Sequence, residues 1–144
     1  MSASLRAYLL GALLPLLLVS CGKQEGYEIR GEQVIWYSWQ GDGLCGKWSE
    51  GVLTDSKGFE ILRRQGYART PAFTYCAGRE ISGSDPATFQ ILDKREDMGK
   101  DAKQVYLKGG VIEGADPATF VVDPSDTENA SDKNRRYRCG EPVP

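Results

Sequence analysis

Gly83-Ser84-Asp85-Pro86-Ala87-Thr88-Phe89 returns 31 residues later as Gly114-Ala115-Asp116-Pro117-Ala118-Thr119-Phe120. The frame holds downstream, where Asp101, Tyr106 and Gly109 recur as Asp132, Tyr137 and Gly140. A fixed period near 30 marks a short array of one supersecondary unit, each copy burying an apolar face against its neighbour. Asp85 ahead of Pro86 sets a single tight turn. Its carboxylate can accept a backbone N–H two or three residues on, and proline fixes φ where no donor is needed. Beyond the turn, Phe89 and Ile91 alternate with Gln90, the period-two pattern of a half-buried strand. Phe120-Val121-Val122 is the next copy, and Phe59-Glu60-Ile61 is an earlier one, out of frame by one residue.

The second half of the unit is a polar turn, a short aromatic strand and a glycine turn. Asp101 to Gly110 carries it best, with copies at Asp132 to Gly140 and Thr70 to Gly78. The glycine reverses the chain into Arg79-Glu80-Ile81 or Gly110-Val111-Ile112, which is hairpin grammar. No stretch shows a 3.6 period. The fold expected is all-β, an antiparallel β-meander or hairpin array of tandem ~31-residue repeats with two or three short strands per unit. The charged run Asp93–Lys103 and residues 124–131 read as polar loops. The Phe and Ile faces are expected to stack into one continuous apolar seam. Gln33-Val34-Ile35 opens a further, amino-terminal unit whose hairpin carries an insertion with Trp36, Trp39 and Trp48.

Asp-Pro-Ala-Thr-Phe followed by Asp132-Lys133-Asn134-x-x-Tyr137 at this period resembles the bacterial DKNYY family. Arg136 and Arg138 stand where the family pattern has apolar and aromatic neighbours, and Thr70-Pro71 lacks the aspartate. The resemblance spans roughly residues 30 to 143. It implies the repeat and makes a lipoprotein unsurprising. It implies no catalytic residue and no cofactor.

The amino terminus reads as an address. Residues 1–20 hold Arg6 and an apolar run from Ala7 to Val19, too short for a comfortable membrane span. Leu18-Val19-Ser20-Cys21-Gly22 resembles a lipobox, so Cys21 is the expected lipidation site, the acyl groups forming a palmitate-type anchor. Gly22 is not the aspartate of inner-membrane retention, which by resemblance to enterobacterial sorting favours the outer membrane. The expected organisation is a signal peptide at 1–20, a short tether at 21–30 and a β-repeat domain at 31–144. Stable anchoring takes more than one acyl chain. Cys45, Cys76 and Cys139 remain in an oxidising compartment, and proximity slightly favours a Cys45–Cys76 bridge over unpaired thiols.

Charge and chemistry narrow the function. With residues 1–20 removed, 17 basic residues face 20 acidic ones, and no basic stripe supports nucleic-acid binding. The chain has no histidine, which removes His-based triads and the commonest general base. No Gly-x-Ser-x-Gly elbow is present. Asp85, Asp101, Asp116 and Asp132 recur because the turns need them. Asp123, Ser125, Asp126 and Glu128 form a candidate calcium loop that fits neither the EF-hand nor the glycine-rich calcium repeat. No metal or cofactor is therefore expected. Trp36, Tyr37, Trp39 and Trp48 beside Gly41-Asp42-Gly43 are the candidate binding residues, suited to stack on sugar rings or aliphatic side chains. Trp36 and Trp39 also suit a plug for the open end of the core, which a small β-array needs where its first unit lacks a neighbour. The function expected is non-enzymatic, an envelope lipoprotein whose repeat domain is an interaction module for a protein or envelope polymer. The alternatives are a hydrolase built on paired carboxylates and an inhibitor or immunity-type binding protein.

Overall fold

The computed structural model describes residues 24–42, 45–93 and 98–144, so the segment read as a signal peptide and Cys21 lie outside the described residues. No helix occurs among those described, and fifteen strands form four antiparallel sheets. β1 (Gly26–Arg30), β2 (Gln33–Asp42) and β3 (Cys45–Asp55) make the amino-terminal sheet. Three four-stranded meanders follow. Unit 1 holds β4 (Glu60–Ile61), β5 (Tyr67–Arg69), β6 (Thr74–Cys76) and β7 (Arg79–Glu80). Unit 2 holds β8 (Gln90–Asp93), β9 (Met98–Lys100), β10 (Val105–Leu107) and β11 (Gly110–Val111). Unit 3 holds β12 (Val121–Val122), β13 (Asn129–Ser131), β14 (Arg136–Arg138) and β15 (Glu141–Val143).

The period and the all-β class are as read from the sequence, but each unit has four strands instead of two or three. The additional strand is β5, β9 or β13. β9 and β13 fall within the two segments read as polar loops. Gly26–Arg30, within the segment read as a tether, is a strand. The additional strand carries a small residue at its centre: Ala68, Gly99 or Ala130. Each pairs with the repeated tyrosine, Tyr75, Tyr106 or Tyr137. Packing requires the small residue, because a Cβ on Gly99 would lie 2.5 Å from Cζ of Phe89.

Strand alternation gives each unit two faces. Phe59, Ala68 and Tyr75 look back to the amino-terminal sheet and join Tyr27 and Val34 in one buried cluster. Phe89 and Tyr106 look back to unit 1 and meet Tyr67, Cys76 and Ile81. Phe120, Ala130 and Tyr137 look back to unit 2 and meet Met98, Val105 and Ile112. The expected continuous seam is thus three separate cores, one per interface, because each sheet stands between two of them. Phe89 and Phe120 occupy equivalent places, 5.9 Å from the Tyr106 ring and 5.3 Å from the Tyr137 ring respectively. Fully burying a phenylalanine contributes about 2–3 kcal/mol by area alone.

The third and fourth strands of each unit are joined by a two-residue turn with positive φ at both positions: Ala77-Gly78, Lys108-Gly109 and Cys139-Gly140. This is the type I′ geometry that matches strand twist. The glycine also faces the preceding unit. A Cβ on Gly109 would lie 2.9 Å from Cβ of Cys76. Polar ties cross the same interfaces. The Gly78 N–H donates to the Tyr27 hydroxyl at 3.1 Å, and the Gly109 N–H to the Tyr67 hydroxyl at 3.3 Å. Arg69 reaches forward to the Pro86 carbonyl at 3.1 Å, and Lys100 to the Pro117 carbonyl at 2.8 Å.

Candidate functional site

The aspartate of the repeat is a hydrogen-bond hub. Asp101 Oδ1 accepts the N–H groups of Lys103 and Gln104 at 2.7 and 2.8 Å. Its Oδ2 accepts the Tyr106 hydroxyl and the Asp85 N–H, both at 2.7 Å. Asp132 repeats the set with Asn134, Arg135, Tyr137 and Asp116 at 2.7 to 2.9 Å. One carboxylate therefore caps its own turn, holds the tyrosine five residues on and fastens the Asp-Pro turn sixteen residues back. Burial pushes both carboxyls up, but the backbone N–H groups and the tyrosine hydroxyl outweigh it and hold them below the ordinary carboxylate value. Burial, then the adjacent carboxylate, raises Tyr106 and Tyr137. Unit 1 has Thr70 at this position. Its Oγ1 caps Ala72 and Phe73 at 3.3 and 2.9 Å.

The Asp-Pro turns behave as the sequence implies. The Ala87 N–H donates to Asp85 Oδ1 at 3.1 Å and the Ala118 N–H to Asp116 Oδ1 at 3.2 Å. Asp123 and Asp126 likewise cap Ser125 and Glu128 at 2.8 and 3.3 Å, so this acidic loop is organised by its own backbone. Among the described residues no cluster of three His, Cys, Asp or Glu side chains forms.

A family model for the DKNYY family matches residues 67–141. The chain belongs to the DKNYY family. The matched segment runs from β5 to the start of β15, so it contains both aspartate hubs. Within it, Asp132-Lys133-Asn134 and Tyr137 form the clamp itself: aspartate as acceptor, two turn amides as donors and tyrosine as the far anchor. No curated protein and no solved structure matches the chain.

The four aromatic candidates separate by parity. Trp36 pairs with Tyr27 and lies on the repeat-facing side, ring centroids 4.7 Å apart. It also covers Gly78, where a Cβ would fall 2.4 Å from its Cγ. Tyr37, Trp39 and Trp48 lie on the opposite face. Tyr37 is buried and accepts a hydrogen bond from Arg30. Trp39 pairs directly with Trp48, edge to face at 5.4 Å, and is 37 % exposed. Trp36 and Trp39 are three residues apart on one strand, and an odd spacing places them on opposite faces. Cys76 is a free buried thiol and Cys139 a free exposed one, so the favoured Cys45–Cys76 bridge is not formed. Lipidation at Cys21 lies outside the described residues.

Two surface recesses escaped the sequence reading. One, of about 350 Å³, lies between Pro71 and Pro86-Ala87, with Arg69 and Glu60 on its wall. The other, of about 330 Å³, lies between Ala102 and Pro117-Ala118, with Lys100 and Gln90 on its wall. They are the same groove one unit apart. The available signal was the recurrence of Pro-Ala at the tips of the turns.

Proposed function

We propose that this protein is a non-enzymatic, lipid-anchored module of the bacterial envelope, tethered through Cys21 and resident in the outer membrane. Its repeat units act as a rigid rod that grips an extended protein or polysaccharide chain of the envelope. The observation that supports this reading is the duplicated groove between successive Asp-Pro turns. A recess repeated at the pitch of the fold suits a ligand with its own linear extent, and two weak contacts on one ligand reinforce each other. The repeat-borne aspartates support the same reading, since Asp101 and Asp132 spend their oxygens on structural donors.

The test is occlusion. Ala87→Arg and Ala118→Arg each fill one groove, and both sites are exposed turn positions. Binding to isolated envelope polymer, followed by co-sedimentation, is expected to fall several-fold with either variant and far more with both. Unchanged binding in the double variant removes the grooves from the function. Trp39→Ala in the same assay reports whether the aromatic ribbon contributes to partner binding. Palmitate-analogue labelling of wild type and Cys21→Ala tests the anchor, and equal labelling removes it.

A further inference from the structure

The two grooves match position for position. Glu60, Arg69, Pro71 and Pro86-Ala87 of the first correspond to Gln90, Lys100, Ala102 and Pro117-Ala118 of the second. Neither offers a ligand a backbone ladder. Pro71, Pro86 and Pro117 have no N–H. The N–H groups of Ala87 and Ala118 go to Asp85 and Asp116, and that of Ala102 to Thr88 Oγ1 at 3.0 Å. The Pro86 and Pro117 carbonyls already accept from Arg69 and Lys100. An extended peptide that binds through its main chain needs a free strand edge, and these walls have none. Recognition falls to polar side chains, which suits the hydroxyl-rich edge of a sugar chain.

The grooves differ in the charge they present. In the first, Arg69 Nε donates to the exposed Glu60 carboxylate at 2.7 Å. In the second, Gln90 stands where Glu60 does, and among the described residues Lys100 is in no ion pair. One of its three ammonium donors goes to the Pro117 carbonyl at 2.8 Å, so two remain for a ligand. Asp101 borders this groove, but it is 3 % exposed and its oxygens are taken by the donors of the hub. The flanking acids follow the same trend. Asp116, ahead of Pro117, is neutralised by Lys133 at 2.7 Å, whereas Asp85, ahead of Pro86, has Ala102 where Lys133 stands. We infer that the ligand of the grooves is an acidic polysaccharide, held with an anionic sugar unit at Lys100 and an uncharged unit at the Arg69–Glu60 pair. Gln90 and Glu60 are the residues that set this order. The inference rests on the grooves proposed above and narrows their ligand to a charged sugar chain.

The experiment titrates the full chain, in a detergent without sugar headgroups, with polygalacturonate, its neutral methyl ester and poly-glutamate. Gln90→Glu gives the second groove the ion pair of the first, and affinity for polygalacturonate is expected to fall about fivefold. Glu60→Gln frees Arg69 and is expected to raise that affinity by a similar factor. Both side chains are exposed. The methyl ester is expected to bind wild type and both variants equally, and added salt to weaken polygalacturonate alone. A wild type that does not bind polygalacturonate, or an affinity that neither charge change moves, overturns the inference. Poly-glutamate bound more tightly than polygalacturonate, with the same response to Gln90→Glu, assigns the grooves to an acidic peptide and overturns the polysaccharide. Ala118→Leu, which fills the second groove without adding charge, keeps this inference apart from the reading it rests on. If Ala118→Leu weakens co-sedimentation with envelope polymer and Gln90→Glu does not, the grooves stand and their charge selectivity falls. If neither variant changes it, both fall.

Discussion

Units 2 and 3 share a backbone and differ in what they show the next position along the stack. Unit 2 offers Met98, Val105, Leu107 and Ile112 to unit 3. At the matching places unit 3 carries Asn129, Arg136, Arg138 and Val143. Lys100, which reaches forward to Pro117, is matched by Ser131. The outward face of unit 3 is consequently a shallow hollow of about 610 Å³ edged by Val121, Val143 and Arg136. Val121 is 62 % exposed and Val143 36 %. The difference teaches that turns and hubs set the meander, while the forward face is free to become polar. A polar outer face is what a stack needs where no apolar neighbour covers it.

The contrast can be broken at its strongest point. Phe89→Ala removes the ring that fills the unit 1–unit 2 core, and a loss of about 3–5 kcal/mol is expected from denaturant unfolding. An equal loss from an exposed site such as Phe73→Ala would contradict the interface assignment. Asp101→Ala comes next. It leaves the N–H groups of Asp85, Lys103 and Gln104 without their acceptor and the Tyr106 hydroxyl with only Gln104 Oε1 at 3.2 Å. The expected cost is about 3 kcal/mol. Asp132→Ala strips the same donors in the less buried unit 3, where water replaces the carboxylate, and about half that cost is expected. Equal costs would show that burial does not set the value of the hub.

Smaller effects sharpen the comparison. Thr74 is fully buried and its hydroxyl has no partner among the described residues, whereas unit 2 has Val105 at the same place. Thr74→Val is expected to raise stability by about 1 kcal/mol, read as an upward shift in Tm. The hubs also set the response to pH. Asp101 and Asp132 titrate lower when folded than when unfolded. Their contribution is full above about pH 4 and is lost as pH falls through the folded values. Tyr106 and Tyr137 titrate higher when folded. Their contribution is full below about pH 10 and is lost as pH rises through the folded values. Urea midpoints across the pH range should fall at both ends, and the acid-side loss should shrink in Asp101→Asn. The smallest change in stability is expected from Arg136→Val with Arg138→Leu, which gives unit 3 the forward face of unit 2. Its readout is association, seen as an increased scattering mass.

Much of this was legible because the repeat constrains several levels at once. The Asp-Pro turn, the aspartate turn and the glycine turn each have one physical job, and a 31-residue spacing locates all three. The second strand of each unit was hidden because Met98-Gly99-Lys100 and Asn129-Ala130-Ser131 have little β character. Tertiary contact with a phenylalanine ring selects those residues, so local propensity misleads. The recurrence of Ala68, Gly99 and Ala130 was the trace of that contact. Grouping Trp36 with Trp39 overlooked strand parity, and their odd separation was enough to part them.

The three cores join only adjacent neighbours, and this has a thermal consequence. Unit 3 is braced on one side, whereas unit 2 is braced on both. Warming is then expected to open unit 3 ahead of unit 2 instead of melting the stack at once. Amide protons of Arg136–Arg138 are expected to exchange with solvent before those of Val105–Leu107, so that opening proceeds one rung at a time.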